Sequence, residues 1–236
     1  MDELVVDNIH TFYGTSHILF GISLKVNRGE CVCLLGRNGV GKTTTLKTIM
    51  GLAHAGQGAI TYNGKNLIGL PPYEIARMGI GYVPDERLIF PDLTVRENLE
   101  IGEKAPLTRD VAPWTVERVY KLFPSLKPLD GRPGGYLSGG EQQMLTCGRT
   151  LMGNPSLVLL DEPVEGLAPV VVQEVTQQIR HLKKMGLTIL FAEQNIKFAT
   201  EISDRAYVIE GGRVRYEGTM EELEQQSEIK EKYLMI

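Results

Sequence analysis

Eight consecutive residues of this chain have the types and the spacing of a phosphate-binding loop. They are Gly36, Arg37, Asn38, Gly39, Val40, Gly41, Lys42 and Thr43. The run fits G-x-x-x-x-G-K-[ST], a pattern whose backbone N–H groups surround the phosphates of a nucleotide. The Lys42 ammonium group would pair with the β- and γ-phosphates, and the Thr43 hydroxyl would ligate Mg²⁺. The run therefore predicts a site for a nucleoside triphosphate and Mg²⁺.

Two adjacent carboxylates, Asp161 and Glu162, follow an apolar run that begins at Ser156. Adjacent acids at the end of a strand are usually solvated turn residues, but beside a phosphate-binding loop they have a clear use. One can position Mg²⁺, while the other orients and polarises the attacking water. We assign the first role to Asp161 and the second to Glu162, which predicts hydrolysis of the bound triphosphate.

A third segment has the features of a helix start that something approaches closely. Ser138 and Glu141 have capping-box spacing, so a helix should begin there. The two residues between them, Gly139 and Gly140, weaken its first turn by about 1 kcal/mol each relative to alanine. This cost is understandable if a ligand such as a phosphate must reach the backbone at the helix N-terminus.

The elements around these segments have the order that the chemistry needs. Residues 31–35 predict a short buried strand and residues 43–50 a helix that Gly51 ends, with the glycine loop between them. The helix N-terminus then offers free N–H groups and a positive dipole end to an anion. Further strands are predicted as two or three in 3–35, then at 59–62 before a hairpin turn at 63–64, at 80–84, at 157–162 and at 187–192, with a hairpin of 206–209 and 213–216. Further helices are predicted to 77, from 94, over 114–123, over 139–152 and over 169–184, with one or two after 219.

Strands that alternate with helices predict an α/β fold with a largely parallel central sheet. We expect a single domain, residues 1–236, with a core of about 1–83 and 154–236. The strand pattern lapses over about 84–153, where we expect an inserted, mainly helical lobe.

Bulk properties exclude several classes of protein. The hydrophobic content of 42 % is that of a globular chain, and the net charge of −4 argues against an obligate nucleic-acid binder. The longest uncharged runs, 8–24 and 48–64, are too short and too polar for a membrane span. The N-terminus lacks the basic region of a signal peptide. Cys31, Cys33 and Cys147 are expected to be small core residues in a reducing compartment, so we expect a soluble intracellular protein.

Together the phosphate-binding loop, the segment 137–141 and the strand with its two carboxylates resemble the ATP-binding subunit of an ABC transporter, over essentially the whole chain. The segment 137–141 is similar to that family's LSGGQ signature, with Glu141 in the last position. The resemblance implies a P-loop NTPase core with an N-terminal antiparallel β region. It also implies that ATP is bound by residues 36–43 with Thr44, and that Tyr13 stacks on the adenine. From the residues alone Tyr13 would be an ordinary aromatic residue at a strand end.

The resemblance also implies an assembly. Two ATPase chains would close head to tail, so that Ser138, Gly139, Gly140 and Glu141 of one chain reach the γ-phosphate held by Lys42 of the other. The segment 85–98 would receive a helix of a membrane partner. Expected partners are two integral membrane permease subunits, a second ABC ATPase, with a heterodimer favoured, and indirectly a solute-binding protein. The chain would lie peripherally on the cytoplasmic face of the inner membrane and be cytosolic when unassembled.

Two positions depart from the family pattern. Asp85 stands where glutamine is usual; it can accept hydrogen bonds and approach Mg²⁺, but it adds a negative charge. Gln194 stands where histidine is usual; its amide can donate to a γ-phosphate but cannot relay a proton. Glu162 is then the evident general base, with Asp85 and Gln194 as further catalytic candidates.

These departures are similar to those of the shorter ATPase in importers of branched-chain amino acids. The run 83–95, the run 192–195 and the run 166–169 carry this resemblance. Importers of urea and short amides share much of this pattern, and the run 164–166 is slightly more similar to theirs. Two other functions are alternatives for this sequence: a non-transport ABC ATPase that acts on DNA or ribosomes, and a nucleotide-binding regulator without turnover.

Overall fold

The computed structural model describes residues 2–106 and 112–234, and the part of the expected lobe at 107–111 lies outside them. The strands run in chain order as β1 (Asp2–Tyr13), β2 (Ser16–Asn27), β3 (Cys31–Leu35), β4 (Ala55–Tyr62), β5 (Lys65–Asn66), β6 (Ile80–Val83), β7 (Leu157–Asp161), β8 (Thr188–Glu193), β9 (Arg205–Glu210) and β10 (Arg213–Thr219). The α-helices are α1 (Lys42–Ile49), α2 (Pro72–Arg77), α3 (Val95–Glu100), α4 (Val116–Leu122), α5 (Gly139–Met152), α6 (Pro169–Lys184), α7 (Ile196–Ile202), α8 (Met220–Gln225) and α9 (Ser227–Tyr233). Two short 3₁₀ helices, Pro124–Leu129 and Gly134–Tyr136, precede α5.

The strands form two sheets. The larger sheet has the order β10-β9-β3-β8-β7-β6, with parallel pairing throughout except for β10, which pairs antiparallel with β9 at the edge. The smaller sheet, β2-β1-β4-β5, is antiparallel. This confirms the predicted α/β fold, with its largely parallel central sheet and N-terminal antiparallel region.

The central strands are buried on both faces, which explains their short apolar sequences. Every residue of β3, β7 and β8 is buried. One face of the larger sheet shares an apolar cluster with the antiparallel sheet and α1, where Leu34, Leu159 and Leu190 meet Leu46. Cys31 and Cys33 are buried, as expected, whereas Cys147 on α5 is half-buried.

The opposite face of the larger sheet carries the helices that follow β6. Val83 and Leu160 of the sheet belong to one apolar cluster with Leu99, Val119 and Leu145 of α3, α4 and α5. Among the described residues between β6 and β7 the regular elements are helical. The insertion therefore shares its apolar core with the sheet. The domain bounds given above remain a prediction.

Most predicted elements are present, with two differences. β4 begins at Ala55, before the predicted start at residue 59, because Ala55 and Gln57 also pair with β1. Helix α7 was not predicted, although the Asn195 side chain caps it by accepting a hydrogen bond from the Phe198 N–H. Its seven residues are too few for a clear helical period in the sequence.

Parallel pairing brings four strand ends to one edge of the larger sheet. The phosphate-binding loop follows β3, Asp85 follows β6, Asp161 and Glu162 end β7, and Gln194 follows β8. Ligands of open parallel sheets bind at such carboxyl ends. The sheet order therefore determines which of the predicted residues can meet.

Candidate nucleotide site

The glycines of the phosphate-binding loop are required by close contacts. A Cβ atom at Gly36 would lie 2.5 Å from the carbonyl oxygen of Ile209. Gly41, the residue before α1, has a φ of +110° and a Cβ there would lie 2.7 Å from Leu19 Cδ2. Between them, Arg37, Asn38 and Gly39 form the exposed turn. The loop thus takes a path that side chains at 36 and 41 would block.

Lys42 is buried and its ammonium group has three acceptors. Nζ donates to the carbonyl oxygens of Gly36 and Arg37, both at 2.9 Å. It also forms an ion pair with Glu162, at 3.1 Å from Nζ to Oε1, in which both side chains are less than a tenth exposed. The loop therefore folds back over the lysine and holds its charge beside the carboxylate at the end of β7.

Thr43 and Asp161 meet directly across the site. The Thr43 hydroxyl donates to Asp161 Oδ1 at 2.9 Å, and the Tyr82 hydroxyl donates to Asp161 Oδ2 at 3.0 Å. Asp161 is fully buried, and this burial raises the pKa of its carboxyl group although the two hydroxyl donors lower it. The two oxygens of Asp161 are thus held by one residue of α1 and one of β6.

Glu162 has an unusual backbone conformation for a residue with a side chain. Its φ is +44°, and its N–H donates to the carbonyl oxygen of Ala192 at 3.1 Å. A positive φ at a bulky residue costs free energy and persists where the surroundings enforce it. Beside it, the pKa of Glu165 is raised because its carboxyl group shares a hydrogen bond with Glu162. The turn after β7 therefore concentrates acidic groups beside Lys42.

Asp85 is exposed and lies close enough to Asp161 for that charge to affect it. The pKa of Asp85 is raised to about 6, first by partial desolvation, then by a hydrogen bond to Glu86 and by the negative charge of Asp161. Glu86 in turn forms a 3.5 Å ion pair with Lys47 of α1. Asp85 is thus on the same edge of the sheet as the other acidic residues.

Gln194 is exposed, and its backbone is anchored by the preceding side chain. Glu193 Oε1 accepts the N–H of Gln194 at 2.8 Å and that of Asn195 at 3.0 Å. The carbonyl oxygen of Glu193 accepts the N–H of Gly36 at 3.2 Å, which ties the end of β8 to the phosphate-binding loop.

A cavity of about 100 Å³ opens over the start of α1. It is lined by Ile18, Gly39, Gly41, Lys42, Thr43, Thr44 and Glu162. Tyr13 is about half exposed at the end of β1 and does not line this cavity, but the β1–β2 hairpin that carries it also carries Ile18.

The signature segment begins α5 as predicted. Ser138 and Glu141 form a capping box, in which the Glu141 carboxylate accepts the Ser138 N–H at 2.6 Å. A Cβ at Gly139 would lie 2.5 Å from Arg87 Nη1, and one at Gly140 would lie 2.7 Å from Val171 Cγ1 of α6. None of these four signature residues lines the cavity over α1. Within one chain they stay outside the group that Lys42, Thr43, Asp161 and Glu162 form.

Sequence reasoning missed three residues of the site. Tyr82 holds Asp161, Ile18 lines the cavity, and Glu193 anchors the turn before α7. A carboxylate at the end of an apolar strand could have drawn attention to Glu193. Nothing in the local sequence distinguishes Tyr82 or Ile18 from other strand residues.

Comparisons with known proteins agree with this geometry. The family model for ABC transporters matches residues 19–165. The chain is 42 % identical over 231 residues to BraG, the high-affinity branched-chain amino acid transport ATP-binding protein of Pseudomonas aeruginosa, with 98 % of this chain and 99 % of the relative covered. It is 34 % identical over 236 residues to LptB, the lipopolysaccharide export system ATP-binding protein of Haemophilus influenzae, with 99 % and 98 % covered.

A solved structure supports the same assignment. An ATP-binding cassette of an ABC transporter in its ADP conformation matches with a TM-score of 0.82 and 30 % identity, over 98 % of both chains. Among the residues that the structure describes, no helix combines the length and the apolar composition that a membrane crossing requires. The family match spans the phosphate-binding loop, the signature and the two carboxylates of β7, and the chain therefore belongs to the ABC transporter family, as an ATP-hydrolysing subunit.

Proposed function

We propose that this chain couples ATP binding and hydrolysis to the uptake of branched-chain amino acids through separate membrane subunits. The observation that carries the enzymatic part is the convergence of Lys42, Thr43, Asp161 and Glu162 at one edge of the sheet. The similarity to BraG supports the cargo, because it extends over nearly the whole of both chains.

The residues at this edge fit Mg²⁺. Thr43 Oγ1 and Asp161 Oδ1 are 2.9 Å apart, and both are oxygen ligands of the kind that this cation prefers. Bound there, Mg²⁺ would neutralise charge that develops on the phosphates. Tyr82 would keep Asp161 oriented towards the ion, and Asp85 would reach it directly or through water.

Glu162 acts as the general base in this proposal. Its carboxylate pairs with Lys42, so a γ-phosphate must replace it as the partner of the ammonium group. The displaced carboxylate would then be free to accept a proton from the attacking water. Gln194 contributes an amide that can donate to the γ-phosphate.

The signature residues complete a site on a second ATPase chain. In the single chain they do not line the cavity over α1, yet Ser138 and Gly139 lie at a helix N-terminus, which suits an anion. Two apolar side chains near this segment, Tyr136 and Val170, are each more than two-thirds exposed. We propose that a second ABC ATPase covers them, in a heterodimer.

A groove on the helical insertion suits the membrane partner. It measures about 490 Å³ and lies between the end of α1, the strand β6 and the helices α3 and α5. Leu52, Phe90 and Ile101 line it, and all three are substantially exposed. Exposed apolar patches mark interaction sites. We propose that a short helix from one permease subunit docks here, which would hold the chain on the cytoplasmic face of the membrane, with a solute-binding protein as an indirect partner.

The cargo can be tested apart from the chemistry, because the ATPase does not itself contact the solute in this proposal. Importers of urea and short amides are the alternative, since the run 164–166 resembles theirs. An action on nucleic acid has less support because the chain has a net charge of −4.

The experiment is a pull-down of this chain from its native membranes, with the co-purifying proteins identified and uptake measured in reconstituted vesicles. We expect two integral membrane subunits and a second ATPase, and ATP-dependent uptake of leucine that urea does not inhibit. A Lys42→Ala chain is the control that should assemble without driving uptake. Recovery of the chain alone would contradict the transport assignment, and competition by urea would move the cargo to short amides.

A further inference from the structure

Glu193 is a buried carboxylate to which the reaction described above gives no role. It ends β8 and is only 2 % exposed. Through Oε1 it accepts the backbone N–H groups of Gln194 and Asn195. One oxygen that accepts two successive N–H groups fixes the backbone between the end of β8 and the start of α7. The side chain of Gln194 departs from this anchored turn.

The two oxygens of the Glu193 carboxylate differ in their hydrogen bonding. Oε2 is buried and has no hydrogen-bond partner within residues 2–106 and 112–234. A buried polar atom without a partner costs about 1–3 kcal/mol, more for a charged group. This cost is lower when the carboxyl group is protonated, and a buried oxygen that keeps it is a candidate for a functional role.

The groups that face Glu193 come from three elements. Lys42 of α1 and Glu162 after β7 are close enough for their charges to act on it, and the buried thiol of Cys33 on β3 is affected by it in turn. The pKa of Glu193 is raised to about 7, chiefly by burial and also by the negative charge of Glu162, although the two N–H donors and Lys42 lower it. Near neutral pH the group therefore exists in both protonation states.

We propose that Glu193 is a positioning residue of this site, which holds the turn that carries Gln194 through one oxygen and sets the charge around Lys42 and Glu162 through the other. The inference rests on the proposed function, since it concerns the same nucleotide site. It assigns a titratable group to a position next to Gln194, whose own side chain cannot take up or release a proton.

The summed charge of Lys42, Glu162 and Glu193 determines how the affinity for nucleotide should change with pH. Lys42 supplies one positive charge, and Glu162 supplies one negative charge. With Glu193 protonated the three groups sum to zero, and with Glu193 ionised they sum to −1. An anionic nucleotide is attracted less by the second state, so its affinity should fall as the pH rises through 7.

The positioning role is tested by hydrogen exchange of the backbone amides in the full chain. Glu193→Gln keeps a carbonyl oxygen that can accept both N–H groups, whereas Glu193→Met keeps the bulk and removes the acceptor. We expect the Gln194 and Asn195 amides to exchange at the wild-type rate in the Gln variant and at least tenfold faster in the Met variant. Unchanged exchange in the Met variant would overturn the positioning role.

The charge role is tested by the affinity for Mg²⁺ and a fluorescent ATP analogue between pH 6 and pH 8. We expect the wild-type Kd to rise several-fold more over this range than the Kd of Glu193→Gln. The bound anion disfavours the ionised form of Glu193 and so raises its pKa, and each unit of that rise changes the affinity by at most tenfold. The nucleotide's own titration is common to both proteins and cancels. Equal pH profiles would overturn the charge role.

Neither readout depends on turnover. A wild-type chain that binds nucleotide but does not hydrolyse it would contradict the proposed function alone, and the exchange rates and pH profiles would still decide the role of Glu193.

Discussion

We propose Lys42 as the residue at which nucleotide binding and hydrolysis are linked. Its three hydrogen-bond acceptors are two carbonyl oxygens of its own loop and the Glu162 carboxylate. An ammonium group has three N–H donors, and those of Lys42 already have three acceptors. A phosphate oxygen can therefore accept from Lys42 only if one of the present acceptors leaves. The two carbonyl groups belong to the loop itself, whereas Glu162 lies on a different element and can be displaced. In the proposed mechanism, the exchange that admits the phosphate therefore also releases Glu162.

We predict that Glu162→Gln retains ATP binding and loses most turnover. The amide cannot accept the proton of the attacking water, so kcat should fall by about 10²–10⁴-fold, the contribution typical of a general base. Removing the carboxylate that competes for Lys42 should leave the Kd for ATP equal or lower. Single-turnover hydrolysis and equilibrium binding measure the two effects, and the ATP-bound variant should accumulate as a stable dimer.

Glu165→Gln is the matched control, because Glu165 lies on the same turn and shares a hydrogen bond with Glu162 but has no ion pair with Lys42. Its kcat should stay within a few-fold of wild type. Turnover at the wild-type rate in Glu162→Gln would remove Glu162 from its assigned role.

At the scale of elements, α5 and α6 explain the second glycine of the signature independently of any ligand. Val171 Cγ1 would lie 2.7 Å from a Cβ at Gly140. Val171 itself packs against the apolar cluster that the larger sheet shares with α3, α4 and α5. At Gly139 the nearest atom is the end of the Arg87 side chain, which can move away. Packing against Val171 therefore excludes a larger side chain at Gly140, whereas no comparable contact within the described residues excludes one at Gly139.

We predict that Gly140→Ala lowers the free energy of unfolding by about 1–2 kcal/mol, since overpacking costs more than the helix propensity gained. Gly139→Ala, the control, should change it by less than about 0.5 kcal/mol or increase it. Urea denaturation of the full chain measures both. In a Val171→Ala background the cost of Gly140→Ala should fall by at least about 1 kcal/mol, because contacting residues couple. An equal cost in both backgrounds would show that Val171 is not the cause.

At the scale of the whole molecule, the helical insertion and the sheet share one apolar cluster that reaches from Leu99 and Leu145 to Leu160 and Phe191. The groove proposed for the membrane partner lies where α1, β6, α3 and α5 meet. The strand β6 also carries Tyr82, which bonds to Asp161 in the nucleotide site. The strand that lines the groove therefore also contacts Asp161, the carboxylate proposed to hold Mg²⁺.

We predict that Leu52→Glu and Ile101→Glu separate assembly from chemistry. Both side chains are more than half exposed, so the substitutions should not disturb folding. Burying a carboxylate against an apolar partner is unfavourable, so recovery of the membrane subunits should fall at least tenfold. Hydrolysis by the isolated chain should stay within about twofold of wild type, as expected of surface substitutions.

The control is Met185→Glu, since Met185 is exposed to a similar extent and does not line the groove. It should co-purify with the membrane subunits as wild type does. Undiminished recovery in the two groove variants would exclude this groove as the docking surface.

Several features follow from the sequence alone because they depend on local rules. The phosphate-binding loop, the capping box at Ser138 and the apolar strand before Asp161 are each defined by types and spacing within a few residues. Strand, loop and helix periods then gave the α/β class, and the order of motifs indicated the family. Local chemistry was sufficient for these because hydrogen bonds to the nearest turns and alternation of apolar residues act over short stretches of chain.

Other features were decided only by the tertiary structure. The ion pair of Lys42 with Glu162, the bond from Tyr82 to Asp161, the anchoring of Gln194 by Glu193 and the contact of Gly140 with Val171 all join residues from different elements or depend on burial. The order β10-β9-β3-β8-β7-β6 places Tyr82 beside Asp161 and brings the loop after β3 near Glu162, and no local spacing encodes which strand lies beside which. Burial decides the rest, since the same glutamate is an ordinary acid in water and a group that titrates near neutrality at the end of β8.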